Sequence, residues 1–382
     1  MLGHCRPRPA SNGMKRIFRA MDRPMLLALF LLVALSLITL ASFSYREDSR
    51  FGDFYKQLMW FGAGVVVFVF AVNIDYRMFL NYRWMVIALY CLGIGLILVP
   101  YFGPAIRGTH AWIVMGSMRF QPVEFMKIAL IILFAKFFSR RHIEIARPRN
   151  LLISLGYVAI PVVIVAKQPD LGSALILVGL WAAFVLLSGI RMRHLLIFLL
   201  LGAVGAGILW TSFLKEYQRT RIISFVYPNY DPLGANYNIN QSKIAIGAGG
   251  ALGKGIGGGT QVQYGFLPEA KTDFIFAGFV EEWGFLGALF IFGVFGVLLW
   301  RVLITAHRAS NNFAKLFCYG SVSLFMIQFF FNVGANIGIL PITGVTFPFF
   351  SYGGSSMIMN MFCVGIVQGI AARTEKHHDF LA

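Results

Sequence analysis

Acidic residues are scarce in this chain. Its 382 residues hold 16 Asp and Glu against 33 Lys and Arg, and only 13% are charged. A carboxylate inside an apolar stretch is therefore a candidate functional group, because taking a charge out of water is costly. Cysteine is as sparse: Cys5, Cys91, Cys318 and Cys363 lie far apart, and no C-x-x-C spacing offers a metal site or a disulfide framework. A nucleotide-binding phosphate loop is lacking too. The run Gly247–Gly255 ends in Gly253-Lys254-Gly255, but Ala248 stands where the first glycine belongs and Gly255 where a magnesium-binding Ser or Thr belongs. Such a loop serves either as a plain turn or as a backbone cradle for a lipid pyrophosphate. No His or acid is placed to activate the serines of Ser351-Tyr352-Gly353-Gly354-Ser355-Ser356, so Ser355 or Ser356 is read as a helix cap. His377-His378 is a tail pair with no metal-binding context.

Apolar sequence is what the chain has in abundance. Hydrophobic residues make up 58% and the mean hydropathy is +0.72, far above a soluble domain. Repeated stretches reach the roughly 20 residues that cross a bilayer. The expected fold is an all-α polytopic membrane protein with ten transmembrane helices, near 24–45, 56–74, 82–102, 122–138, 150–167, 170–190, 194–213, 273–300, 313–340 and 355–373. Residues 1–22 are expected as a cytoplasmic, disordered tail, 23–374 as the membrane domain and 375–382 as a second cytoplasmic tail. The first apolar stretch is too long for a typical signal-peptide core and lacks a small-x-small cleavage site, so it reads as a retained anchor.

Lys and Arg crowd alternate connections, among them Arg140, Arg141, Arg191, Arg193, Arg373 and Lys376, which puts both termini on the cytoplasmic side. The net charge of +17 thus reflects topology and contact with anionic membrane lipids rather than a nucleic-acid surface. Segments 103–121, 167–170, 214–272 and 341–354 then face outward together. The large extracytoplasmic loop 214–272 joins helices seven and eight, and its stretch Asn240–Ile246 is expected to form a short interfacial helix.

Several polar residues sit where apolar ones are expected. Asp273 lies in Leu267-Pro268-Glu269-Ala270-Lys271-Thr272-Asp273-Phe274-Ile275-Phe276, where the polar loop runs into an apolar helix. Pro122 suits a helix first turn, and Glu124 and Lys127 are then i, i+3 neighbours able to pair. That pair reads either as a structural lock or as a phosphate ligand with its support. Trp112 before it reads as a membrane anchor or as a plate for a sugar face. Glu281 and Glu282 lie roughly 12 Å further along their helix than Asp273, too far to share its chemistry. They are expected to be polar partners for neighbouring helices, with Asn332 and Asn336 among the contacts.

Five ordered blocks resemble the SEDS family of membrane glycosyltransferases: RFQPVEFMK at 119–127, KQPDLGSAL at 167–175, DPLGANYNINQSKIAIGAGGALGKG at 231–255, LPEAKTDFIF at 267–276 and GILPITGVTFPFFSYGGSS at 338–356. The third block is more like RodA, the elongation member, than FtsW, the division member. The resemblance implies a peptidoglycan glycosyltransferase that polymerises lipid II on the outer face of the bacterial inner membrane, beside a class B penicillin-binding protein. It implies Asp273 as the catalytic acid, Glu124 and Lys127 as the paired residues of helix four, and Trp112 as the loop tryptophan. Arg119, Gln121, Lys243 and Lys271 join the substrate-binding set by type and expected side. Three positions depart from the family pattern: Ala111 replaces an Arg, Val123 a Ser and Lys271 a His. The first weakens a phosphate-binding role for loop 103–121.

In this reading Asp273 takes the proton of the acceptor's sugar hydroxyl. Charge on the departing pyrophosphate is met by Lys, Arg or a divalent cation such as Mg2+ or Mn2+, and the sequence does not choose between them. A lipid II flippase or transporter is the alternative, although no pair of interrupted helices is evident in corresponding halves. A scaffold that only recruits cell-wall enzymes is the third reading.

Overall fold

The computed structural model describes residues 20–44, 52–104, 108–116, 118–139, 148–189 and 236–379, with isolated positions between 207 and 234. Among the described residues, ten helices of more than two turns carry the architecture. They are α1 (Arg23–Phe43), α2 (Gly52–Asn73), α3 (Arg83–Leu98), α4 (Pro122–Ser139), α5 (Pro148–Lys167), α6 (Leu171–Leu187), α7 (Tyr237–Gly249), α8 (Ile275–Arg308), α9 (Asn312–Ile337) and α10 (Gly354–Asp379). Seven of these stretches are long and apolar enough to cross a membrane, those of α1, α2, α3, α5, α8, α9 and α10. The chain is therefore a multi-pass membrane protein. α4 carries Glu124, Lys127 and Lys136 within its 18 residues, and α6 has 17. The expected seventh span, 194–213, lies outside the described residues apart from Gly207, as do residues 1–19 of the expected N-terminal tail.

α10 is the central element. In its apolar stretch 83% of residues are buried, against 28% in those of α2 and α3, whose outer faces are left for lipid. α10 packs tightly on α2, because Gly365 sits where a Cβ would collide with the Ala71 side chain and the Phe68 carbonyl. Small residues at such crossings let helix backbones approach and gain dispersion contacts. At one end of the bundle Asp22 caps α1 by accepting from the Met25 N–H (2.9 Å) and forms an ion pair with Arg301 of α8. Gln368 of α10 clasps the Asp22 backbone through its N–H (2.9 Å) and carbonyl (3.0 Å). Three helices are thereby locked together, and Asp22, the last residue of the expected tail, is tied down.

Two local features depart from the all-α expectation. Ile113–Met115 and Met118–Phe120 pair as an antiparallel ribbon with Val114 opposite Arg119, so the segment between Trp112 and α4 is a hairpin. α8 is interrupted as well: Gly284 has φ +69° and ψ −169°, a conformation open only to glycine. The residues before it form a separate arm of about 14 Å that carries the mouth of the helix.

The Gly-rich loop closes this interruption. Lys254 and Gly255 N–H donate to the carbonyls of Glu281 and Glu282 (3.0 and 2.9 Å), while Phe285 and Leu286 N–H donate back to Gly250 and Ala251 (2.9 and 3.1 Å). The fully buried Glu281 carboxylate takes Lys254 Nζ (2.8 Å), Thr260 Oγ1 (3.0 Å) and the Gln261 N–H (3.1 Å). Glu282 takes Ser42 Oγ of α1 (2.6 Å) and the Gly257 N–H (3.2 Å). This decides one open alternative and corrects one expectation. The N–H groups of Lys254, Gly255 and Gly257 are spent on the protein's own oxygens instead of cradling a phosphate. Glu281 and Glu282 bond α1 and this loop instead of Asn332 and Asn336. A Cβ at Gly284 would collide with Gly253 N and Ala251 O. Gly284→Ala is therefore expected to destabilise the protein by more than about 3 kcal/mol and to appear as lost monodisperse protein in fluorescence-detected size exclusion.

Candidate active site at the mouth of helix α8

Asp273 is half-buried in the turn that leads into α8. The backbone of this turn is held at three successive carbonyls. Lys271 C=O accepts from the Tyr352 N–H (3.0 Å). Thr272 C=O accepts from Ser351 Oγ (2.8 Å). Asp273 C=O accepts from the amides of Asn332 (3.1 Å) and Asn336 (2.8 Å) on α9. Buried carbonyls need partners, and here they come from segments about 60 to 80 residues away.

Segment 341–353 is the hub. Asn332 also donates to Val345 C=O (2.8 Å). Gly344 runs beside the acid: a Cβ there would lie 4.0 Å from Asp273 Oδ2. Thr343 presses on Gly172 at the start of α6, where any Cβ would strike the Thr343 carbonyl. Gln57 of α2 holds the far end through Ser351 C=O (3.4 Å) and the Gly353 N–H (3.3 Å). Asn332 Oδ1 and Thr343 Oγ1 are buried without partners among the described residues, two polar atoms available to a ligand or to water. The serines take other parts than a cap. α10 begins at Gly354, and the Met357 N–H bonds to Gly353 C=O. Ser356 Oγ instead contacts Thr346 Oγ1 (3.1 Å).

Cationic groups gather beside this turn. Lys271 pairs with Asp53 of α2 (2.8 Å). Burial, and then the Asp53 carboxylate, push the Tyr352 phenol above the ordinary tyrosine value, while Arg119 and Lys271 pull it back. Tyr352 thus sits among Asp53, Arg119 and Lys271. Arg119 is exposed at the ribbon, opposite Val114. Lys243 lies across Gly338 at the end of α9, so its stem is placed by the helix that also holds Asp273.

The remaining expected residues have structural partners. Gln121 donates to Asp170 Oδ2 (2.9 Å), the cap of α6, and so joins the ribbon to the 167–170 turn. Glu124 and Lys127 form an ion pair of 2.8 Å with side chains 6% and 2% exposed. The pair is closed off inside the bundle. Trp112 is half-buried ahead of the ribbon. Among the described residues no three His, Cys, Asp or Glu side chains gather as a metal-ligand set, so no residue is assigned to a cation. Sequence reasoning missed the roles of Asn332, Asn336 and Ser351. The usable signal was two amides one helical turn apart in an apolar helix.

Fold and site together define a helical membrane protein with a half-buried acid and adjacent cations at one end of its bundle. The family model described as "Cell cycle protein", covering FtsW, RodA and SpoVE, matches residues 22–376. Peptidoglycan glycosyltransferase MrdB of Escherichia coli K12 is 38% identical over 92% of this chain and 93% of its own length. A solved structure described as "Structural coordination of polymerization and crosslinking by a peptidoglycan synthase complex" aligns with TM-score 0.79 at 30% identity, covering 93% of this chain and 98% of the other. Rod shape determining protein RodA of Thermus thermophilus aligns with TM-score 0.68 at 27% identity, covering 92% and 96%. The chain belongs to the FtsW/RodA/SpoVE family, the SEDS proteins.

Proposed function

We propose that this protein polymerises lipid II into glycan strands on the outer face of the bacterial cytoplasmic membrane during cell elongation. It is a peptidoglycan glycosyltransferase. The observation that carries the site is the half-buried Asp273, braced through the carbonyls of Lys271, Thr272 and Asp273, in a turn whose Lys271 carbonyl bonds the Tyr352 N–H. A braced carboxylate suits a general base, which must stay within hydrogen-bond reach of the proton it removes.

Asp273 takes the proton from the 4-hydroxyl of the acceptor's GlcNAc. The oxygen forms a bond to the donor's anomeric carbon with inversion, the bond from that carbon to pyrophosphate oxygen breaks, and undecaprenyl pyrophosphate departs. Arg119, Lys271 and Lys243 are the cations assigned to the departing charge. Trp112 is assigned to a sugar face. Gln121 acts through Asp170, and Lys127 acts with Glu124. Adding α4, α6 and the expected span 194–213 to the seven apolar stretches yields ten crossings, with both termini cytoplasmic and loop 214–272 outside. The domain division into 1–22, 23–374 and 375–382 follows, and a class B penicillin-binding protein is the expected partner.

The test is polymerisation of labelled lipid II by the purified protein with and without that partner. Glycan ladders are expected, more of them with the partner. A folded, partner-bound protein that makes none and instead moves lipid II across liposomes would replace this reading with transport. The closed interruption of α8 argues against that outcome, because loop 250–255 bonds the carbonyls of Glu281 and Glu282 and the N–H groups of Phe285 and Leu286, groups that a path would otherwise use.

A further inference from the structure

We infer that Asn336, assisted by Asn332, is a positioning residue for Asp273: its carboxamide, inserted from α9 into the first turn of α8, sets where that helix starts. The inference rests on the reading of Asp273 as the base. In an uninterrupted helix the Ala277 N–H would bond to Asp273 C=O. Asn336 stands between these two groups. Its Nδ2 donates to Asp273 C=O (2.8 Å) and its Oδ1 accepts from the Ala277 N–H (3.0 Å). Nδ2 donates again to Asn332 C=O (2.8 Å), so both amide protons and the oxygen are engaged. Phe274, at the helix start, has no side-chain cap. The capping group arrives from another helix.

Asn336 is itself held in place. It is fully buried, its own carbonyl accepts from Ser242 Oγ of α7 (2.8 Å), and α9 ends two residues later at Gly338, φ +75°. Asn332, one turn earlier, is a second donor to Asp273 C=O. If the Asn336 carboxamide is removed, the Ala277 N–H loses its acceptor and Asp273 C=O, which faces it, keeps only Asn332. An ordinary helical bond between them then winds Asp273 into α8. Its carboxylate turns away from Gly344, while the groups that bind substrate stay where they are.

The test uses the full chain with its partner and labelled lipid II. Asn336→Ala is expected to lower kcat by about 100-fold, the cost of a misplacement near 1 Å, with KM changed by less than roughly threefold. Asn336→Asp should not rescue it, since a carboxylate repels the two carbonyls. In an Asp273→Asn background Asn336→Ala should cost no further activity, whereas a general structural role would add its own loss. Should Asn336→Ala fail to fold, Asn332→Ala decides, with an expected loss in kcat of about tenfold at steady KM. Wild-type kcat in the folded variants, or a full additional loss in the Asp273→Asn background, overturns the inference. A fully active Asp273→Asn protein would overturn the reading of the base instead.

Discussion

Asp273→Asn is expected to cut glycan synthesis to a small residual rate while the protein stays folded and bound to its partner. Asn is nearly isosteric with Asp but cannot take a proton at neutral pH, and losing a general base typically costs 10²- to 10⁴-fold, so a fall of at least about 100-fold is expected. Folding should survive because the described braces of this turn run through the carbonyls of residues 271–273, which the substitution keeps. Lipid II ladders, thermal unfolding and co-purification of the partner, measured on one preparation, separate chemistry from stability. A folded Asp273→Asn protein with wild-type ladders would remove the acid from the mechanism.

The second large effect concerns Glu124 and Lys127. Glu124→Ala leaves a Lys127 ammonium 2% exposed and without its carboxylate. Orphaning one member of a buried pair costs about 3–5 kcal/mol, enough to remove most of the stability of a typical protein. Replacing both members, as Glu124→Gln with Lys127→Met, is expected to recover much of that loss, since apolar or neutral substitutes of similar volume are often tolerated. The double variant is nonetheless expected to make no ladders, because the proposed role of the pair lies in catalysis as well as packing. Normal synthesis by a stable double variant would reduce the pair to a lock within the bundle.

The residues that dominate these experiments were legible to different degrees. Glu124 and Lys127 could be read from spacing alone, because i, i+3 positions meet on any helix, and the pair forms at 2.8 Å. Asp273 was legible because an acid at the start of an apolar helix is conspicuous. The braces around it were not. Asn336 is 63 residues from Asp273, Ser351 is 79 residues from Thr272, and Asn332 meets Val345 across the 341–353 hub. The spacing of the two amides marks them as polar groups in an apolar helix, but nothing local names their partner, and they were expected among the contacts of Glu281 and Glu282.

Glycine shows the same division. The run Gly247–Gly255 announced a turn, and the tight 167–170 connection between α5 and α6 forms as expected. Gly284, by contrast, lies in apolar sequence that reads as continuous helix. Only the opposing backbone of loop 250–255 reveals that the helix stops there and restarts. The ribbon at 113–120 was hidden for a related reason: strand pairing joins two short segments, and a three-residue strand has no periodicity to read.

The sequence by itself determined the membrane class, the apolar helices, the ion pair within α4 and the place of Asp273 at the entry to an apolar helix. Each depends on composition or on residues within a turn or two of one another. Tertiary structure decided where α8 breaks, which oxygens the Gly-rich loop satisfies and what holds the Asp273 turn. Those outcomes depend on backbone groups that must find partners once water is gone, and their partners are brought close only when the helices pack.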